Sequence, residues 1–408
     1  MGGKAALLIV LGFSTIMVIV GLNMNRASTS AVDNSTNYYE TSAAKEIARS
    51  GINLALNNLS RNQSWTAAGS PYSYMGSKNL EISIRDTGGI KVVSATGTYA
   101  GKSKLIEVKI NQSSFSEYAY FSNIEGNIWW SGKDSVWGPF HTNDDIQVQG
   151  HPYFAGPRTS HGGKMKYYKD KPTDDPTIIG TYNPGLTIEI PKDGITKLSA
   201  SAGSGGYIFS GSKDVYLDFA GDSIKYKMKS SDPYITVLAT DLAPNGVIYV
   251  DNGDLHIQGT VKNKWSIGSN KNVYLDNDIV YSDIPDPMDK YDSSKDLLGI
   301  LAKNDVIITD NFANKIDINI NAAIYCETGS FTAENATSRL IGKSVNLIGG
   351  ITQEKRGAVG TFTVDKWGNV TAKSGFATKN YKYDSRLLRM VPPFFPSTNT
   401  FKVLSWLE

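Results

Sequence analysis

The stretch Gly246-Val-Ile-Tyr-Val-Asp-Asn-Gly-Asp-Leu-His-Ile-Gln258 holds two short apolar-rich phrases separated by a polar, glycine-containing corner. Each phrase is too short for a helix and alternates as a strand does, with successive side chains on opposite faces. The cadence recurs in Val215-Tyr-Leu-Asp-Phe219, Asn272-Val-Tyr-Leu275, Asp278-Ile-Val-Tyr281 and Asp305-Val-Ile-Ile308. It continues in Ala322-Ala-Ile-Tyr325 and Ser344-Val-Asn-Leu-Ile348. Short strands with outward-pointing polar corners suit a right-handed parallel β-helix, in which coil stacks upon coil. Corners such as Asp251-Asn252-Gly253 also read as hairpin turns, so a β-sandwich is the alternative. Residues 117–408 are therefore expected to form one large β-domain. Its end, Val391-Pro-Pro-Phe-Phe-Pro396, is a semi-rigid tail that could cap the last coil or bind a partner.

Upstream the period changes. Leu80-Glu-Ile-Ser-Ile-Arg85, Ile90 to Tyr99 and Lys104-Leu-Ile-Glu-Val-Lys-Ile110 alternate at period two, with turns at Gly88-Gly89 and Gly101-Lys102. Residues 63–116 read as a small antiparallel meander that packs on a helix. Residues 1–62 supply that helix. Ala5 to Leu22 carries no ionisable side chain, and its helical length of about 27 Å matches a bilayer core. Ala5, Leu8, Leu11, Phe13, Ile16, Ile19 and Leu22 are its anchor positions. Asn23 to Asn58 contains no proline, and Ala44, Ala48, Gly51 and Ala55 recur at helical spacing beside Ile47, Ile52 and Leu59. Leu54 flanks the stripe as well, and together they are expected to pack the helix on the meander. A secretory signal peptide cut near Ala27–Ala31 is the competing reading.

Composition narrows the function. Lys plus Arg number 41 against 39 Asp plus Glu, a net charge of +2, with no clustered basic face for nucleic acid. The 39 glycines and 22 tyrosines suit an extracytoplasmic β-protein. A lone Cys326 excludes an intrachain disulfide and any multi-cysteine metal site. Neither a nucleophile elbow, a phosphate loop nor a dinucleotide fingerprint is present, so no cofactor is implied.

Two groups of residues are chemically suggestive. His141, Asp144, Asp145 and His161 are candidates for an ion site or an acid–base pair, although their spacing fits no helical metal motif. Hydrogen-bonding corner residues are the plainer reading. The aromatics Tyr118, Tyr120, Trp129, Trp130, Trp137, Tyr153, Phe154, Tyr167 and Tyr168 suit either a core or a sugar-stacking surface.

The segments Gly3-Lys4-Ala5-Ala6-Leu7-Leu8-Ile9-Val10 and Glu40 to Leu56, with its Ala48-x-x-Gly51-Ile52-x-x-Ala55-Leu56, resemble the N-terminus of PilX-type minor pilins over about 60 residues. The resemblance implies a short leader cut between Gly3 and Lys4 and lateral packing with other pilin-like or secretion-system subunits. It departs in one respect: major pilins carry a glutamate five residues after the cut, and no Glu precedes Glu40 here.

A second resemblance covers most of 117–400. Its phrases are Val136-Trp-Gly-Pro-Phe-His-Thr-Asn-Asp144, Gly150-His-Pro-Tyr-Phe154, Leu347-Ile-Gly-Gly-Ile-Thr-Gln353, Arg356-Gly-Ala-Val-Gly-Thr-Phe362 and Tyr381-Lys-Tyr-Asp-Ser-Arg-Leu387. They are similar to a bacterial family of pilin-associated, β-helical envelope domains with no established activity. Together these readings imply a non-enzymatic structural envelope subunit. It would be anchored in the cytoplasmic membrane by a single pass, its C-terminal domain outside, with membrane lipid, other subunits and a surface glycan as partners. A membrane-tethered carbohydrate-binding or carbohydrate-active β-helix is the alternative.

Overall fold

The computed structural model describes residues 2–408 except 63, 75, 88–89, 212 and 366–368. The expected turn at Gly88-Gly89 lies outside the described residues. The chain divides into two compact units, Met1–Gln112 with Asn399–Glu408, and Ser113–Thr398.

The first unit begins with α1, an uninterrupted helix from Gly2 to Arg61. Nothing in this stretch breaks it: proline is absent, and Thr15 and Thr29 direct their hydroxyls back onto the Leu11 and Asn25 carbonyls, each at 3.0 Å. The helix stops where Asn62 accepts the Ser64 N–H at 3.0 Å, a local turn that competes with another helical bond. Strands Tyr72–Tyr74, Ser77–Thr87, Ile90–Tyr99 and Lys102–Ser114 pair antiparallel in chain order, as their alternation predicts. A fifth strand, Ser397–Leu407, borders Lys102–Ser114. This corrects the expected division: 117–408 is not one body, because the chain's last ten residues return to the N-terminal sheet.

The second unit is mainly parallel. One ladder runs Tyr207–Phe209, Val247–Val250, Lys264–Ser269, Leu297–Ala302, Ile318–Cys326, Gly342–Lys355, Tyr120–Ile124, Phe140–Thr142 and Tyr153–His161. Along it Ile248, Ile267, Ile300, Ile324 and Ile351 stand in register, returning after 19, 33, 24 and 27 residues. All five are buried. A second ladder aligns Ile279, Ile320, Leu347, Tyr381, Val136 and Phe154. A third aligns Leu217, Ile257, Leu275, Ile308 and Ala333. The unit also holds antiparallel elements: a meander through Val215–Gly221, Ser223–Lys227 and Ile235–Leu238, and the hairpin Gly360–Val364 with Val370–Tyr383.

The corners explain why polar residues precede each strand. Asp214 accepts the Asp254 N–H, Asp254 that of Asn272, Asn272 that of Asp305, and Asp305 that of Ser330, at 2.6–3.2 Å. Each corner side chain thus satisfies a backbone donor of the next corner in the series. The corner Asp251-Asn252-Gly253 is not a hairpin turn. Its flanking strands pair with Lys264–Ser269 and Val273–Tyr281 instead of each other. On the outer face Asp278, Asn319, Asn346 and Asn380 form a second polar chain, bonded in sequence at 2.9–3.1 Å.

The segment after Thr177–Pro184 runs outside the first ladder. It includes α2, Gly194–Gly203, which buries Ile195 and Leu198. The proline-rich tail lies on the same ladder, with Phe395 edge-on to Tyr325 and Pro392 beside Gly299. It therefore covers a sheet face within the second unit, where a cap over the last coil or a partner-binding tail was expected.

Candidate functional site

The clearest functional division in the molecule falls within α1. Among the described residues it is the one helix long and apolar enough to cross a membrane. Leu8, Leu11, Phe13, Ile16, Ile19 and Leu22 are all more than half exposed, and Ala5 and Lys4 are exposed with them. Lys4 and Arg26 bracket this stretch, about 33 Å apart along a helix, which keeps both charges outside a hydrocarbon core of about 30 Å. A charge placed at the centre would cost about 2.5–3.5 kcal/mol. Gly3, the other half of the expected leader junction, is helical.

From Ala44 onward the same helix is half-buried. Ala44, Ala48, Ile52, Ala55 and Leu59 are fully enclosed, each large aliphatic worth about 1.5–3 kcal/mol on burial. Ala48, Ile52, Ala55 and Leu59 cluster with Leu80, Val93, Ala95, Ile106, Val108 and Ile110 of the sheet. Two glycines set the approach. A Cβ on Gly51 would lie 2.4 Å from Leu80 Cδ1, and one on Gly97 would lie 2.2 Å from the Ala44 carbonyl oxygen. The stripe of Ala44, Ala48, Gly51 and Ala55 is thus occupied by the chain's own sheet. Gly97, which sequence reasoning passed over, is the complementary half of that contact.

The C-terminus adds a clamp. Glu408 receives Lys45 at 2.6 Å and Arg49 at 3.0 Å. Hydrogen bonds from Lys45, Arg49 and Trp406 hold its carboxyl at about 2, well below the usual range. No sequence signal pairs residue 408 with residue 45.

The histidine segment forms a different kind of network. His141 is fully buried, its Nε2 2.8 Å from Asn143 Oδ1 and its Nδ1 2.8 Å from Ser160 Oγ. Asn143 is oriented by the Ile188 backbone, accepting its N–H at 2.8 Å and donating to its carbonyl at 2.7 Å. His141 Nε2–H is therefore the donor, and Nδ1 accepts from Ser160. Burial pushes the imidazole down to about 4, so it is neutral at physiological pH. The register places His141 opposite Ser160, and His161 opposite Thr142. His161 instead faces Gly163 O at 3.0 Å and Tyr182 OH at 2.5 Å, and burial lowers its pKa as well. Asp144 accepts the Glu125 and Asp145 N–H groups, while Asp145 pairs with Lys166 at 2.5 Å and lies below its ordinary range through that bond. Among the described residues no three His, Cys, Asp or Glu gather around a common point.

The aromatic cluster divides in two. Tyr120, Trp130 and Phe154 are enclosed around Phe140, whereas Trp129 is half-buried and Tyr168 half-exposed. Beside Trp130 a buried charge cluster connects segments more than 200 residues apart. Arg356 Nη1 donates to Glu125 Oε2 at 2.8 Å with its guanidinium 3.8 Å over the Trp130 ring, and Lys379 pairs with Asp134 at 2.7 Å. The acidic run 283–292 serves backbone N–H groups: Asp286, Asp289 and Asp292 accept from Met288, Tyr291 and Ser294 at 2.8–2.9 Å. Arg386 is buried against Asp384 at 2.7 Å and donates to the Ser294 and Asp296 carbonyls. Cys326 is buried, and that burial raises its thiol pKa far above the ordinary value.

Residues 80–163 match a domain of unknown function (DUF4900), a stretch that runs from the antiparallel sheet through the His141 segment. A comparison with curated proteins gives no significant match. Among solved structures the chain is similar to the competence-associated pilin ComZ from Thermus thermophilus. That likeness has 10% identity over 84% of this chain and 85% of that one, at a TM-score of 0.36.

Proposed function

We propose that this chain is a membrane-anchored, pilin-like structural subunit, a minor component of a pilus or secretion complex. In this reading the second unit is a right-handed parallel β-helix presented outside the cytoplasmic membrane for assembly or adhesion. The observation that carries the proposal is the division of α1. One continuous helix exposes an apolar, charge-free half and buries an amphipathic half on its own sheet. The exposed half packs laterally in lipid or against neighbouring apolar helices, where association rests on van der Waals contact at close approach. The buried half is held on the first unit's own sheet. The in-register isoleucine and corner ladders support the β-helix reading, since each circuit returns the chain to the same ladders.

Mass spectrometry of the N-terminus of the protein recovered from membranes tests this proposal. Cleavage between Gly3 and Lys4 by a prepilin peptidase is the expected result. An intact Met1 would reduce α1 to a tether, and cleavage near Ala31 would remove the anchor and overturn the reading.

A further inference from the structure

We propose that a cleft on the second unit binds a neutral saccharide, independently of whether α1 assembles with other subunits. The cleft lies between the hairpin Gly360–Val364/Val370–Tyr383 and the parallel pair Trp130–Ser131/Ile146–Gln149. Its volume is about 550 Å³, within the range of small-ligand sites. Trp129, Tyr168 and Phe362 supply its rings, and Asn127, Gln149 and Thr361 its polar groups.

Three observations point to a sugar. The first is Gln149, which is 1% exposed, yet neither its Oε1 nor its Nε2 has a hydrogen-bond partner among the described residues. A buried amide with both ends unsatisfied carries a desolvation penalty that ordinary structural positions avoid. Here it lines a cleft into which a ligand hydroxyl can reach, and a hydroxyl both donates to Oε1 and accepts from Nε2. The second is ring geometry. Trp129 and Tyr168 meet edge-to-face with centroids 5.3 Å apart, which fixes both planes. A fixed indole offers a flat face to the C–H side of a pyranose. The third is charge, since among the described residues none lining the cleft is ionisable at neutral pH. Beneath it Arg356 is matched by Glu125. An anionic or cationic ligand gains nothing there, and an alkyl chain would leave the Gln149 amide unpaired. A polyhydroxylated neutral ring answers both the amide and the aromatics.

The test is isothermal titration of the full chain in detergent with N,N′-diacetylchitobiose, cellobiose and maltotriose, with a neutral alanine–serine peptide as the competing probe. Saturable binding of at least one sugar is expected, weakened about tenfold or more by Gln149→Leu and by Tyr168→Ala. Gln149→Leu removes the unsatisfied amide, so its melting temperature should hold or rise while binding falls. Tyr168 is half-exposed, so its replacement leaves the fold intact. Binding of the peptide alone, no saturation by any sugar, or sugar affinity unchanged in both variants overturns the proposal.

Discussion

The parallel ladder changes character along its length. From Ile248 to Ile351 it is a column of buried isoleucines contributed by successive parallel strands. Beyond Ile351 the next residue in register is Tyr120, then Phe140, with Trp130 and the buried pair Arg356–Glu125 alongside. The first region is continuous in sequence, whereas the second joins strands 231 residues apart. Identical aliphatic layers stack interchangeably and carry no information about which neighbour is correct. Where distant segments must meet, large rings and a matched ion pair admit one register only, at the cost of desolvating charge. The comparison suggests that the junction specifies the topology and the isoleucine column supplies stability.

That contrast can be broken at the junction first. Arg356→Ala leaves Glu125 buried without its counter-ion and should destabilise the second unit by about 3–5 kcal/mol, read by chemical denaturation. Replacing Arg356 and Glu125 together with Met and Gln should recover much of this loss while lowering the refolding yield. In the isoleucine column Ile324→Val should cost only about 0.5–1.5 kcal/mol, with the fold unchanged by circular dichroism. A cost above that range would mean the column also sets register.

Within the second unit, pH dependence lies on the aromatic side. The folded pKa of His141 is depressed, so the unfolded chain binds more protons between about 4 and the ordinary value near 6.5. Its contribution is complete above about pH 6.5 and is lost as pH falls towards 4, an effect on the order of 3 kcal/mol. His161 acts in the same direction. His141→Gln should flatten that part of the melting-temperature profile; an unchanged profile would remove His141 as its source.

The outer polar chain should matter less. Asn346→Ala interrupts the bonds to Asn319 and Asn380 at 3.1 and 3.0 Å, with an expected cost of about 1 kcal/mol by thermal melting. The smallest effect belongs to Glu408→Gln in the first unit. Its carboxyl lies below the usual range, so the clamp holds above about pH 4.5 and fails as pH falls towards 2. The variant should speed hydrogen exchange in Ser397–Leu407 without lowering the melting temperature of the second unit.

Much of the local structure was legible in the sequence because it rests on neighbours in the chain. The charge-free run Ala5–Leu22, the small-residue stripe from Ala44 to Ala55 and the period-two alternation of residues 80–110 each determine an element through steric and solvation preferences within a few residues. The apolar phrases of 215–348 likewise marked strands. What they could not mark was partners, since a phrase such as Val247–Val250 fits any ladder equally well. Tertiary structure alone decided that Tyr120 follows Ile351, that Gly97 makes room for Ala44, and that residues 399–408 return to the first sheet. It also decided which aromatics became core and which, like Trp129 and Tyr168, border a cleft with Gln149. Those choices depend on volume, hydrogen-bond satisfaction and charge matching between segments as distant as Lys45 and Glu408, and no local pattern records them.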